Sequence, residues 1–401
     1  MSRFLSVVAV MKAREVIKEI CSTLPTEEVS LHDTIGRILA SDVQSDVDIP
    51  GFDRSTVDGY AVLALDTTGA GESLPSMLGL SGSIGMGEIP ALEVRSGFCM
   101  YIPTGAFLPP GADAVVMIEH CEVLGDQVLV HRPVAPGENI VSRGEDFSQS
   151  LVAISAGTRI TSRAAGVLAA CGKRYVRVTV RPRVGIISTG TELVPVEETP
   201  SGGQIRDVNT SLCAGFVTEQ GGIPVIFGIV HDDRLSLESM IETASATCDL
   251  VLISGGSSKG ERDICADIIA SRGEVLVHGV ALSPGKPTII GRIGSVPVIG
   301  LPGHPASAYV VLYALVRDLF NEMSGAAETM GSVWCRMKSA VSSARGREDY
   351  VRAVIDGDQV VPLFGKSGLT NTLLNSDGLI RIPAEVEGYE AGDLAEVILW
   401  R

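Results

Sequence analysis

Residues 249–263 read DLVLISGGSSKGERD. Leu250 to Ile253 is a short apolar run, which predicts a buried strand. It ends in Ser254-Gly255-Gly256-Ser257-Ser258-Lys259-Gly260, a loop with little side-chain bulk. Glu261 to Arg272 has helical spacing, with Ile264, Ile268 and Ile269 on one face and acidic residues in its first turn. Strand, glycine loop, helix is a layout that aims backbone N–H groups at an anion. The spacing matches neither the P-loop nor GxGxxG, so the ligand is not named by either motif. The plain alternative is an ordinary tight strand-to-helix turn.

Outward from that stretch, strands and helices alternate. Pro182 marks a boundary. Val184 to Ile187 predicts a strand that ends in Ser188-Thr189-Gly190-Thr191-Glu192. Gln204 to Asn209 precedes a helix through Phe216 to Gln220, and Ile223 to Val230 predicts a strand that ends in His231-Asp232-Asp233. A helix near Leu235 to Thr247 follows. After the glycine loop and its helix come an extended piece from Val275 to Val280 and a rigid turn, Ser283-Pro284-Gly285-Lys286-Pro287. Thr288 to Ile290 with Val296 to Ile299 predicts a hairpin. Leu301-Pro302-Gly303-His304-Pro305 then leads into an apolar helix from Ala306 to Phe320. This alternation implies a parallel-rich sheet covered on both faces. Ligands of such sheets sit at the carboxyl ends of the strands. Glu192, Asp232, the glycine loop with Asp263 and the Pro302–Pro305 loop should therefore share one rim.

Length and charge bound the rest. At 401 residues the chain is expected to hold two to four domains. Its net charge of −16, from 32 basic and 48 acidic residues, argues against nucleic acid as a partner. Its eight cysteines are scattered with no CxxC pair, so buried free thiols in a reducing, cytoplasmic setting are expected. The apolar start of MSRFLSVVAVMKAREV runs straight into a predicted helix carrying Ala13, Val16, Ile17 and Ile20, and is not read as a signal peptide. The longest later apolar run, Ala308 to Val316, is far short of a membrane span.

The flanks are richer in strands. Residues 49–142 predict an inserted β-rich domain, with Gln127 to Val130 and Ala114 to Ile118 among its strands. Residues 1–48 and 143–180 enclose it as a mixed α/β unit that includes a small-residue helix, Ser162 to Ala170. Residues 181–326 form the α/β domain, and 327–401 a small closing β-barrel. The fold class is thus multidomain α/β plus β.

The order of motifs resembles the MoeA family of molybdopterin molybdenumtransferases, which includes the E domain of gephyrin. The motifs are DRSTVDGYAV (53–62), IPTGA (102–106), GED (144–146), STGTEL (188–193), QIRDVN (204–209), HDD (231–233), SGGSSKGERD (254–263), PGKP (284–287), LPGHPAS (301–307) and GREDY (346–350). Any one of them is weak; their order over some 300 residues is specific. The resemblance implies that 182–325 is a MogA-like, three-layer molybdopterin-binding domain. It also implies a homodimer whose cleft lies between this domain and the β-unit loops of the other subunit. The implied reaction takes adenylylated molybdopterin, made upstream by a molybdopterin adenylyltransferase, and molybdate. AMP leaves and molybdenum joins the dithiolene sulfurs, with Mg²⁺ taking part.

On that resemblance Asp58, Thr104, Asp146, Glu192, Asp232 and Asp263 are the candidate catalytic residues. Glu192, Asp232 and Asp263 are the candidate metal ligands. Ser188, Thr189, Gly190, Ser254, Gly255, Gly256, Ser257, Ser258, Gly260, Lys286, Pro302, Gly303 and Pro305 are the candidate cofactor-binding set. Taken singly, each has a structural reading: Asp58 and Asp146 in turns, Asp263 in a helix first turn, Lys286 as a solvated lysine.

The chain departs from the family pattern in three places. Where KxxxKPGKP is usual, Gly279 and Ser283 replace two lysines. His304 stands in LPGHP where the family has asparagine, and Ser257 and Lys259 alter the glycine loop. These losses of charge keep a second reading open, a catalytically weakened paralogue that binds molybdopterin or serves as a scaffold. Tungstate in place of molybdate, and a nucleotide hydrolase sharing only the central domain, are the further alternatives.

Overall fold

The structure, a computed structural model, describes residues 7–230, 233–255, 261–327 and 331–400, apart from the side chains of 261–263. Its centre is a six-stranded sheet. The strand order is Ile223–Val230, Arg183–Thr189, Leu250–Gly255, Val296–Leu301, Ile289–Ile293, Glu274–His278. The first four strands run parallel, and the last two add as antiparallel neighbours through the expected hairpin. Successive side chains of one strand feed opposite cores: Leu250 and Leu252 face one layer, Val251 and Ile253 the other. A strand buried on both faces needs no polar alternation, which is why 250–253 is uniformly apolar.

Helices Arg234–Thr247 and Glu261–Arg272 cover one face. Asn209–Glu219 and a long C-terminal helix cover the other. The long helix runs Pro305–Val311, through a π-helical segment Leu312–Val316, and on to Arg317–Ser324, where Gly325 in the left-handed region ends it. Helix Val10–Ile20 joins the same layer. The sequence reading counts it with residues 1–48, yet its buried Val10, Ala13, Val16, Ile17 and Ile20 pack on the central domain. Arg14 Nε lies 3.1 Å from Asp318 Oδ2, and Arg14 Nη2 donates to the Ala314 carbonyl at 3.1 Å.

Strand Thr26–Ser30 pairs with Tyr175–Thr179, and Val43–Gln44 with Val152–Ile154, so two distant segments close one unit. Helix Ser162–Ala170 belongs to it, capped by the Thr161 hydroxyl. Between these segments lies a six-stranded sheet in the order Ala114–Met117, Gly59–Val62, Phe98–Ile102, Ser76–Ser83, Gln127–Val130, Cys121–Leu124. Tyr60 and Val62 feed one of its cores and Ala61 the other.

At the C-terminal end, Glu348–Asp356 pairs with both Gln359–Pro362 and Gly378–Ile382. Gly378–Ile382 pairs with Leu394–Leu399, which pairs with Ser332–Met337, which returns to Gln359–Pro362. These five strands close the expected barrel around Ala353, Val360, Ile380 and Val397. Among the described residues no helix is long and apolar enough to cross a membrane. None of the eight cysteines forms a disulfide.

Candidate functional site

The carboxyl ends of Arg183–Thr189 and Leu250–Gly255 meet side by side, with Thr189 paired to Gly255. The approach is too close for any side chain at 255. A Cβ there would lie 1.8 Å from the Thr189 carbonyl oxygen, and Gly255 has φ +117°. A pocket of about 850 Å³ opens above this junction. Thr189, Glu192, Ser254, Gly255, Gly303 and Pro305 line it, so three of the four expected strand-end loops share one rim. Ser188 is fully buried, its hydroxyl 2.9 Å from that of Thr210, and pins the strand to helix Asn209–Glu219. Gly190 and Pro302 are likewise not in the pocket lining. Asp232, Gly256, Ser257, Ser258, Lys259 and Gly260 lie outside the described residues, as does the side chain of Asp263.

Glu192 is exposed and its carboxylate folds over Gly190; a Cβ on that glycine would sit 2.8 Å from Glu192 Oε2. The Glu192 carbonyl accepts from the Ile205 N–H at 2.8 Å, and that bond ties 188–193 to 204–209.

Sequence reasoning quoted 204–209 without giving its residues roles. The structure places Gln204, Arg206, Asp207 and Asn209 in the pocket wall. Asp207, 5% exposed, accepts from the Thr210 N–H at 3.0 Å and caps the helix. The signal was present as Asp three residues before Thr at a helix start. Asn209 is 7% exposed. Its Nδ2 donates to Ser254 Oγ at 2.6 Å and to the Gly303 carbonyl at 2.8 Å. Its Oδ1 is buried with no partner among the described residues.

The barrel supplies another wall, through Gly368 and Thr370. The Ser367 carbonyl accepts from the Ala306 N–H at 3.1 Å, and Ser367 Oγ lies 3.1 Å from His304 Nδ1. Buried Arg352 holds the base of that loop by donating to the Gly365 carbonyl at 2.6 Å. No local pattern marks Gly368 or Thr370, because the contact joins two domains.

Lys286 lies apart from the other candidate cofactor-binding residues. It does not line the pocket of Ser254 and Gly255; it lines a second one, of about 500 Å³, between the 280–287 turn and the barrel. Ser283, Arg345 and Arg347 line the same pocket. Arg345 pairs with Glu387 at 3.2 Å and Arg347 with Asp349 at 3.1 Å, so their charge is partly offset. Lys286 has no carboxylate partner among the described residues. The turn that carries it has no room for a side chain at Gly285, at φ +133°, where a Cβ would lie 2.7 Å from Val311 Cγ2 and 2.9 Å from Leu282 Cδ2.

Asp58 and Thr104 come together elsewhere, on the inserted sheet. Asp58 Oδ1 accepts from the Thr104 N–H at 2.7 Å and its hydroxyl at 3.0 Å. Those two donors, the N–H first, hold the Asp58 carboxyl below its ordinary pKa. Asp146 is exposed on the loop where its N–H donates to the Ile49 carbonyl at 3.0 Å. None of the three lines the 850 Å³ pocket of its own chain.

The chain matches three protein-family profiles in succession: the MoeA N-terminal region (domain I and II) over residues 8–172, a probable molybdopterin binding domain over 185–322, and the MoeA C-terminal region (domain IV) over 335–400. It is 36% identical over 381 residues to a putative molybdopterin biosynthesis protein of Methanocaldococcus jannaschii, covering 93% of this chain and 92% of that one. It is 32% identical over 388 residues to the molybdopterin molybdenumtransferase of Bacillus subtilis, covering 94% and 90%. A crystal structure of the molybdopterin biosynthesis MoeA protein of Pyrococcus horikoshii superposes with a TM-score of 0.86 at 31% identity, covering 98% of this chain and all of that one.

Proposed function

The chain belongs to the MoeA family, and from that premise we propose that it acts in molybdenum cofactor biosynthesis as a molybdopterin molybdenumtransferase. Adenylylated molybdopterin and molybdate are the substrates, supplied by an adenylyl-transfer reaction and by uptake of the oxyanion. The phosphoanhydride is hydrolysed, AMP leaves, and molybdenum is carried over to the dithiolene sulfurs.

The observation that carries this reading is the strand-end pocket, walled by four separate loops and floored by Gly255. Ser254 and the strand-end backbone offer neutral donors to phosphate oxygens, without adding charge to an acidic chain. The second pocket holds Lys286, Arg345 and Arg347, a setting for a dianionic oxyanion. The arginines, each partly offset by a carboxylate, bring cationic charge beside Ser283, one of the two positions where a lysine is replaced. That favours the transferase over the weakened paralogue.

Mg²⁺ is part of the proposal as a requirement of the reaction. Among the described residues no group of three or more His, Cys, Asp or Glu converges on one point, and Asp207 is spent on its helix cap. Glu192 is the exposed carboxylate that the described pocket offers.

A homodimer belongs to the same reading, because Asp58 and Thr104 stand outside the pocket of their own chain. The test incubates the protein with adenylylated molybdopterin and Mg²⁺, with and without molybdate, and follows AMP. Molybdate-dependent AMP release, abolished in Glu192→Gln, is expected. No release from a folded, dimeric protein refutes the transferase. Sedimentation as a fully active monomer at micromolar concentration refutes the dimer.

A further inference from the structure

We infer that Asn209 is a positioning residue of the strand-end pocket, fixing the Ser254 hydroxyl as a hydrogen-bond donor to a phosphate-bearing ligand. The inference deepens the transferase reading and rests on it for the identity of the ligand.

The geometry leaves the Asn209 amide one orientation. Its Nδ2 faces two acceptors, Ser254 Oγ at 2.6 Å and the Gly303 carbonyl at 2.8 Å. A carbonyl oxygen only accepts, so the NH₂ end is assigned by chemistry. Ser254 Oγ therefore spends a lone pair on Asn209, and its own proton is left for another acceptor. Ser254 is 2% exposed and lines the pocket, so the only use for that proton among described groups is on the pocket side. A hydroxyl polarised in this way presents a donor where an anion is expected, beside Thr189 and Gly255.

The same amide joins three loops. Asn209 starts its helix, Ser254 ends a strand, and Gly303 lies in the LPGHP turn. Its Oδ1 is buried with no partner among the described residues. A side chain kept only for stability has no reason to leave that oxygen unsatisfied; one kept to direct Ser254 and Gly303 does.

The test is a double-mutant cycle on AMP affinity, read by calorimetry on the full-length protein, with thermal melts as the folding check. Asn209→Asp keeps the shape but offers only acceptors, so the Ser254 proton turns inward. Asn209→Asp and Ser254→Ala are each expected to weaken AMP binding about tenfold or more. The double variant is expected to be no weaker than the worse single, since both remove one donor. Adenosine, which lacks the phosphate, is expected to lose little in any variant. Additive losses, equal losses for adenosine and AMP, or no AMP binding by wild type at millimolar concentration would each overturn the assignment. If Asn209→Asp does not fold, Asn209→Ser takes its place in the cycle under the same criteria. Wild type that binds AMP and shows the cycle, yet releases no AMP from the adenylylated substrate, defeats the transferase reading and leaves this one standing.

Discussion

Replacing Gly255 by alanine tests whether the pocket floor is set by close backbone contact. The added Cβ would lie 1.8 Å from the Thr189 carbonyl oxygen, 2.8 Å from its carbon and 3.2 Å from Thr189 Cγ2. The first two are backbone atoms of a paired neighbouring strand, so no rotamer change relieves them. The φ of +117° adds strain of about 1–3 kcal/mol for a residue with a side chain. Forcing the strand ends apart adds about 1–3 kcal/mol more. Gly125→Ala is the control: it also has positive φ, at +62°, but nothing lies within 4 Å of its Cβ. It should cost about 1–2 kcal/mol. Urea denaturation of wild type and both variants gives the two differences, and AMP affinity reports the pocket. From the middle of these ranges Gly255→Ala should cost about 2 kcal/mol more than the control, and it should lose most AMP binding. Equal stability losses in the two variants, with AMP binding intact, would refute the close-contact argument.

Three shorter expectations follow from the same structure. Ser283→Lys should lower the molybdate concentration for half-maximal turnover, most clearly at low salt, because it adds a cation beside Lys286; an unchanged requirement counts against a charge deficit there. Restoring lysine at Gly279 is the poorer test, since φ +106° strains any side chain. Thr104→Val removes one of the two donors to Asp58, so the carboxyl pKa should rise yet stay below its ordinary value, the larger N–H contribution remaining. Because the folded pKa is depressed, this stabilisation is present above about pH 4 and is lost as pH falls through the folded value; a carboxyl NMR titration shows whether the shift occurs. Ile17→Ala should cost about 2–5 kcal/mol in urea denaturation, as for a fully buried core side chain, and a loss below about 1 kcal/mol would mean that its helix is not part of the central core.

What the sequence made legible was local and periodic. Helices Ser162–Ala170 and Glu261–Arg272 and strands Ile223–Val230 and Gln127–Val130 follow from apolar spacing and from the glycines and prolines that bound them. Strand Ser76–Ser83 did not, since two glycines and three serines give it no apolar alternation. Strand Cys121–Leu124 is mostly exposed at a sheet edge and equally faint. The rim of Glu192, Ser254 and Gly303 was legible because strand ends follow from topology. The place of Lys286 was not, nor were Arg345, Arg347, Gly368 and Thr370, because domain packing decides which turn meets which barrel loop. Asn209 was visible only as a polar residue in a helix first turn; its partners come from two other loops.

The pairing of Thr26–Ser30 with Tyr175–Thr179 has a consequence in time. A chain emerging from the ribosome at roughly 5–20 residues per second makes the second strand about 7–30 s after the first. The inserted sheet closes entirely within residues 59–130, so it can be complete while strand Thr26–Ser30 still has no partner. That waiting strand carries Glu27 and Glu28, and charged side chains are one device by which an unpaired edge is kept from joining another chain.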